Sequence, residues 1–361
     1  MSARRSEETG LLLDMLSIPS PSGGEAALAG FLHQWLLARG VAARVDPAGN
    51  VVAHFPAGGQ PAPRLLLLGH MDTVSGRIPV RCRDGRISGR GAVDAKGPLA
   101  AFICACLRLH RSGRGPAYDI TLAGAVEEEV SSSRGARYLL GGPRPDWVVI
   151  GEPSGWSSLV TGYKGRFVLD YRLRLEAAHA ASRVQTAAEG ACDFWRHVQG
   201  FGDRYNEGRA GFDRLDATLR SLQAGVEPDG LHDCSQALLS FRLPPDFPLA
   251  ELEAVLAAGR GEGTLTRLGL DPAVRCPKNT PVVRALLRAI RDRGGEPTFK
   301  LKTGTSDMNV VCPAWGVAGV AYGPGDSHLD HTPREHVVVD EYLKAIDVLE
   351  QSLGARQNLS K

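Results

Sequence analysis

The sequence predicts an α/β protein with a mixed, mostly parallel sheet and flanking helices, interrupted by an inserted α+β domain. Three observations carry that expectation. Short continuous apolar runs such as Leu65–Leu68 alternate with segments of helical spacing, the pattern of strands covered by helices on both faces. Beyond about Thr161 the pattern changes, and Phe167, Leu169, Tyr171, Leu173 and Leu175 occupy every second position, as in a sheet with one solvated face. A length of 361 residues also exceeds the roughly 250–300 that one core accommodates. Residues 1–160 and 277–361 are therefore expected to form one domain and 161–276 the insertion.

The elements follow in order. Glu7–Leu16 has helical periodicity and ends at the proline- and glycine-rich Ile18–Gly24. A second helix is expected over Glu25–Arg39, with Gly40 as its C-terminal cap. Val41–Val45, Val51–Phe55 and Arg64–Gly69 read as strands, and Pro79–Ser88 as a hairpin turning at Asp84-Gly85. A helix starts near Pro98 and continues over Leu99–Leu109. Ile120–Val126 and Trp147–Ile150 read as further buried strands. In the insertion, Ala237–Leu243 alternates as a second strand after a long polar helical region. Helices over Val282–Arg293 and Glu341–Leu353 close the chain.

Composition narrows the function classes. With 43% hydrophobic and 23% charged residues the chain is an ordinary globular protein. Its 42 basic and 40 acidic residues are mixed along the sequence, without the clustered basic face of a nucleic-acid binder. No phosphate-binding glycine loop, dinucleotide fingerprint or G-x-S-x-G elbow occurs. No apolar run approaches the ~20 residues of a membrane span. The N-terminus turns acidic before any hydrophobic stretch, unlike a secretory leader, so a cytoplasmic protein is expected. Seven scattered cysteines without a C-x-x-C pair argue against a disulfide framework.

The chemistry lies at the C-terminal ends of the predicted strands, where open α/β sheets build their sites. Leu65–Gly69 runs into His70-Met71-Asp72, Ile120–Val126 into Glu127-Glu128-Glu129, and Trp147–Ile150 into Gly151-Glu152-Pro153. Asp94 lies between them, at the mouth of a helix. Imidazoles and carboxylates suit zinc or a similar borderline cation, and a hydrolytic metal pair needs one carboxylate able to bridge. His70, Asp94, Glu129 and Glu152 supply four such ligands, and Asp330–Glu335 offers a fifth. Within the tail, the Thr332-Pro333-x-Glu335 context favours His331 over His328. His33, His54, His110 and His197 read as ordinary core or surface residues. Arg242 could bind a substrate carboxylate or form a surface ion pair, and Lys302–Asn309 reads as a substrate-facing glycine loop.

Taken together, Ser17–Gly23, Gly69–Val74, Gly89–Gly97, the acidic triplet, Gly151–Ser154 and His331 resemble, in order and spacing, the di-zinc aminoacylase superfamily. That superfamily includes acetylornithine deacetylase, succinyl-diaminopimelate desuccinylase and carboxypeptidase G. The resemblance implies a zinc-peptidase-type fold in which the insertion serves as a dimerisation lid. It implies two zinc ions per subunit, with cobalt as an alternative. His70 and Glu152 would hold one ion, Glu129 and His331 the other, and Asp94 both. Asp72 would orient His70, and Glu128 would act as general base. His179, in Glu176–Ser182, would stabilise the oxyanion in the site of a second subunit. The usual Asp-Glu-Glu of the family is Glu127-Glu128-Glu129 in this chain, so Glu127 takes the place of the aspartate.

Within the superfamily, Gly91–Pro98, Val126–Glu129, Gly162–Arg166 and Thr303–Asp307 most resemble hydrolases of carrier-dependent lysine or arginine biosynthesis. These release lysine, and sometimes ornithine, from the terminal glutamate side chain of an amino-group carrier protein. The alternative is an acetylornithine deacetylase or another deacylase of small N-acyl amino acids.

Overall fold

A computed structural model describes residues 3–58, 62–113 and 115–354. The chain divides into two compact units. One holds the described residues up to Gly162, Cys276–Leu301, and those from Ser306 onward; the other holds Tyr163–Arg275 and Lys302–Thr305.

The first unit is built on a mixed sheet. From one edge its order is Ala43–Val45, Val51–Phe55, Asp119–Ala125, Arg64–His70, Trp147–Gly151, Ala318–Ala321 and Ser158–Tyr163. The four strands from Asp119–Ala125 to Ala318–Ala321 run parallel, and antiparallel neighbours flank them. The expected parallel centre is therefore present. Its fourth member, Ala318–Ala321, has no signal in the sequence, because four small residues carry no period long enough to read.

Helix Lys96–Arg111 packs over the central strands and is buried along nearly its whole length. It begins two residues before Pro98, which the first turn of a helix tolerates because the N–H that proline lacks would have no intrahelical partner there. Leu99, Phe102 and Ile103 reach zero exposure, each contributing about 2 kcal/mol of burial. The close seating depends on glycine. A Cβ on Gly69 would meet Leu99 Cβ at 3.3 Å, and one on Gly151 would meet Phe102 at 3.0 Å. The two strand ends that carry His70 and Glu152 thus lie directly against this helix. Helix Val339–Gly354 covers it in turn.

A separate three-stranded sheet pairs Arg81–Arg83 with Arg86–Ser88, and Arg86–Ser88 with His336–Val338. The hairpin turns at Asp84-Gly85, both at positive φ, as their sequence predicts.

The second unit is an antiparallel sheet in the order Asp216–Val226, His232–Leu243, Gly165–Glu176, Thr264–Asp271. Helix Ala187–Asn206 starts with a capping box between Thr186 and Glu189, which ties up the first free N–H groups of the helix. With Leu249–Gly259 it covers one face, burying Phe167, Leu169, Tyr171, Phe194, Val198, Leu252 and Leu256. This is the half-solvated sheet that the alternation over Phe167–Leu175 predicts. The edge strand Asp216–Val226 is almost wholly exposed, and so lacks the apolar pattern that would reveal it in sequence.

Candidate active site

The parallel strands deliver their chemistry to one place. His70 is the last residue of Arg64–His70, Glu152 follows Trp147–Gly151, and the acidic triplet follows Asp119–Ala125 by one residue. His70 Nε2 lies 3.2 Å from Asp94 Oδ1 and 3.8 Å from Glu152 Oε1. His331 Nε2 lies 3.1 Å from the other oxygen, Asp94 Oδ2, and 3.0 Å from Glu129 Oε1. Two donor groups result: His70, Asp94 and Glu152, and Asp94, Glu129 and His331, each with its atoms within 4.8 Å of one another. Asp94 turns one oxygen to each.

The surroundings fix this geometry. His70 Nδ1 donates to the Asp72 carbonyl at 2.9 Å, which leaves Nε2 as the atom free to ligate. The Asp72 carboxylate, expected to orient His70, lies 3.4 Å from its Nδ1. Its two oxygens accept the N–H groups of Glu128 and Glu129, each at 3.0 Å, and the hydroxyl of Ser22 at 2.7 Å. It thereby clamps the acidic triplet to the strand that carries His70. Glu127 makes the turn that permits this, at φ 58°, and His331 is likewise left-handed at φ 60°. Such backbone in a non-glycine residue costs of order 1 kcal/mol and gathers at functional sites. Glu127 directs its carboxylate to Ser132 and Arg134, at 2.6 and 2.8 Å.

Three supporting residues show no sign of these roles in the sequence, although Ser22 and Glu335 lie within motifs singled out there. Glu335, only 1% exposed, accepts the N–H groups of Val93 and Asp94 and pairs with Arg90 at 2.7 Å. Glu25 accepts the N–H groups of Gly23 and Glu127, and Ser22 holds Asp72. Lys96 is buried and donates to the carbonyls of Met15 and Ile18 at 3.1 and 2.8 Å, fastening the end of the first helix. Burial lowers its pKa to about 8.

Electrostatics favour a cation at this candidate site. Burial pushes the Glu128 carboxyl well above its usual range, and the charges of Glu152, Asp307 and Glu129 push it further, against the pull of His70. Burial would lower the pKa of His70, but its bonds to Asp72 and Asp94 raise it well above normal. Asp94 and Glu129 raise His331 to about 10. Asp94 itself is held low: burial opposes this, and the two imidazoles outweigh it. Carboxylates outnumber imidazoles in a partly buried pocket, and divalent cations relieve that imbalance. The nitrogen and oxygen donor set fits them.

The other residues weighed in the sequence belong to neither donor group. His328 has a side chain 92% exposed, pairs with Asp326 and belongs to neither donor group. His179 lies in the second unit, exposed, its Nδ1 accepting the N–H of Ala181 at the start of a short turn. Arg242, in the same unit, donates to Thr305 Oγ1 at 3.3 Å and enters no ion pair among the described residues.

The model of peptidase family M20/M25/M40 matches residues 66–355. The chain belongs to that family. Among its M20 relatives is the LysW-lysine hydrolase of Deinococcus radiodurans, 46% identical over 350 residues and covering 95% of each chain. The LysW-lysine/LysW-ornithine hydrolase of Saccharolobus solfataricus is 30% identical over 360 residues, covering 95% of this chain and 96% of its own. The M20 fold is equally plain. The M20 metallo-carboxypeptidase Sso-CP2 of Sulfolobus solfataricus superposes with a TM-score of 0.79 at 21% identity, over 96% of this chain and 98% of that one. A Bacillus subtilis structure described as a dinuclear metal-binding M20 peptidase gives 0.70 at 14% identity, over 98% of this chain and all of the other. The mixed α/β sheet with flanking helices is thus the sheet of M20 enzymes.

Proposed function

We propose that this protein is a two-metal amidohydrolase that releases lysine, and to some extent ornithine, from the glutamate side chain of an amino-group carrier protein. The observation that carries the chemistry is the split of the Asp94 carboxylate between two donor groups beside Glu128. The substrate follows from the relatives' names at 46% identity over nearly the whole chain.

In this reading His70, Asp94 and Glu152 would hold one zinc ion and Asp94, Glu129 and His331 the other, with cobalt able to substitute. Bound there, the ions would acidify a water and polarise the amide carbonyl. Glu128 takes the proton of the attacking water and passes it to the leaving α-amine, a task suited to a carboxyl whose pKa burial has raised. Asp72 keeps Glu128 in place through its backbone, and keeps His70 in the tautomer that presents Nε2. Residues 1–160 and 277–361 form the catalytic domain, and 161–276 the lid.

The protein acts as a homodimer in which His179 of each lid donates to the developing oxyanion in the other subunit's site. Two features support this: His179 is exposed, and the long edge strand Asp216–Val226 leaves Leu222 and Val226 37% and 62% exposed, an open edge of the kind proteins cover by assembly. Cytoplasmic residence is supported by cysteines that are all free. No helix among the described residues is long and apolar enough to cross a membrane.

A side-by-side assay of purified, metal-loaded protein tests the substrate. Carrier-linked lysine should turn over at least tenfold faster, by kcat/KM, than acetylornithine. Turnover of acetylornithine with none of the carrier-linked amino acid would replace this reading with the small-metabolite deacylase.

A further inference from the structure

Two sulfurs meet apart from the candidate metal ligands. Cys276 continues the short strand Val274–Arg275 at the edge of the main sheet, and its N–H is held by the Thr161 carbonyl at 2.7 Å. Cys312 lies in helix Met308–Trp315. Both belong to the first unit, and both converge on Gly319 in the parallel strand Ala318–Ala321. The Gly319 N–H donates to Cys276 Sγ at 3.2 Å. A Cβ on Gly319 would stand 2.6 Å from Cys312 Sγ, so the lack of a side chain there is what lets that sulfur settle against the strand. The Cys312 thiol in turn hydrogen-bonds to Cys276.

The pair differs chemically from the buried cysteines of helix Lys96–Arg111. There burial pushes the Cys104 thiol up to about 12 and raises Cys106 as well, which leaves both inert. The hydrogen bond from Cys312 instead brings Cys276 down to about 7, with help from the Gly319 N–H and against burial. The same bond and burial hold Cys312 well above the usual thiol range. One sulfur thus carries charge while its neighbour keeps a proton, the division between an attacking thiolate and a resolving thiol. Cys276 is 8% exposed, an opening for an oxidant of nearly water's size.

The helix that carries Cys312 also reaches the candidate active site. It follows Asp307, whose charge bears on the Glu128 carboxyl. The Asp307 carbonyl accepts the N–H groups of Val310 and Val311, each at 3.0 Å, so a displacement of the helix carries Asp307 with it.

We propose that Cys276 and Cys312 are a modification site that hydrogen peroxide closes to a disulfide, slowing hydrolysis through the helix that follows Asp307. The Cys276 thiolate attacks one peroxide oxygen and the O–O bond breaks, leaving a sulfenic acid and a hydroxide that takes up a proton to become water. Cys312 sulfur then attacks Cys276 sulfur. The S–S bond forms, the S–O bond breaks, and the hydroxyl leaves as water with the Cys312 proton. Two thiols lose two electrons to one peroxide, and two waters result. This goes beyond the hydrolase reading above, and the sulfur chemistry needs no substrate.

The test treats metal-loaded wild type, Cys276→Ser and Cys312→Ser with hydrogen peroxide, then removes the excess with catalase. Peptide mapping of alkylated wild type should show a Cys276–Cys312 crosslink that dithiothreitol reverses. Cys312→Ser should stop at a Cys276 sulfenic acid captured by dimedone, and Cys276→Ser should give neither product. Treated wild type should lose about tenfold in kcat on whichever of carrier-linked lysine and acetylornithine it cleaves, and regain it with dithiothreitol. Treated Cys276→Ser should keep its untreated rate. Absence of the crosslink, an equal loss of activity in Cys276→Ser, or a crosslinked enzyme of unchanged kcat would overturn the proposal. If untreated wild type cleaves neither substrate, the hydrolase reading falls by itself. The peptide map then decides the site: a reversible crosslink sustains the modification, and its absence ends it.

Discussion

The two halves of the candidate metal-ligand cluster are built differently. On one side His70 ends a central strand, is 1% exposed, and has its Nδ1 fixed by the carbonyl of a residue two positions away. On the other His331 has a side chain 50% exposed, sits in left-handed backbone outside any strand, and meets Glu129 across 202 residues of sequence. The first half is a product of the sheet and its helix; the second is closed by the returning tail. The contrast teaches that a shared carboxylate can couple a rigid pocket to a looser one. Asp94, held by Glu335 through two backbone N–H groups, is the joint.

The sharpest way to break the comparison is to ask whether either half owns the chemistry. Glu128→Gln removes the proton carrier while sparing both donor groups. We expect kcat to fall about 10³-fold, with two metal equivalents retained by elemental analysis. Loss of metal in parallel with activity would make Glu128 a member of the cluster instead.

The next effect separates the halves directly. His70→Ala leaves Asp94 and Glu152 buried without their imidazole, and should cost the metal-free protein about 3 kcal/mol in urea unfolding. His331→Ala should cost less than about 1 kcal/mol, because the ring is half exposed. Each variant should lose one metal equivalent. Equal destabilisation by both would erase the distinction drawn above.

The smallest effect is a pH dependence. In the metal-free protein His331 is raised from 6.5 to about 10, so its contribution to stability is fully present below about pH 6.5 and is lost as pH rises through about 10. Between those limits the melting temperature of wild type should decline more than that of His331→Ala. Scans of both proteins at several pH values measure the difference, and parallel curves would remove His331 from the ionic cluster.

Much of the fold and of the candidate ligand set is legible in the amino-acid sequence. Leu65–Leu68, Ile120–Val126 and Trp147–Ile150 declare themselves as buried strands because an apolar run covered on both faces has few alternatives, and each ends in acid or imidazole. Other features are not legible, for distinct reasons. Ala318–Ala321 is too short and too small-sided to show a period. Asp216–Val226 faces solvent along its length and has no apolar stripe to betray it. The tasks of Ser22, Glu25 and Glu335 stay hidden, because their partners lie 50, 102 and 241 or more positions away.

By itself the sequence determined the inventory of donors, the strands that carry them and the family to which they belong, since periodicity and motif spacing are local properties of a chain. Only the tertiary structure decided which oxygen of Asp94 faces which imidazole, and that Asp72 grips the backbone of Glu128 and Glu129. Those outcomes depend on hydrogen-bond and Coulomb terms that act over a few ångströms in space, and a linear pattern carries no record of such distances.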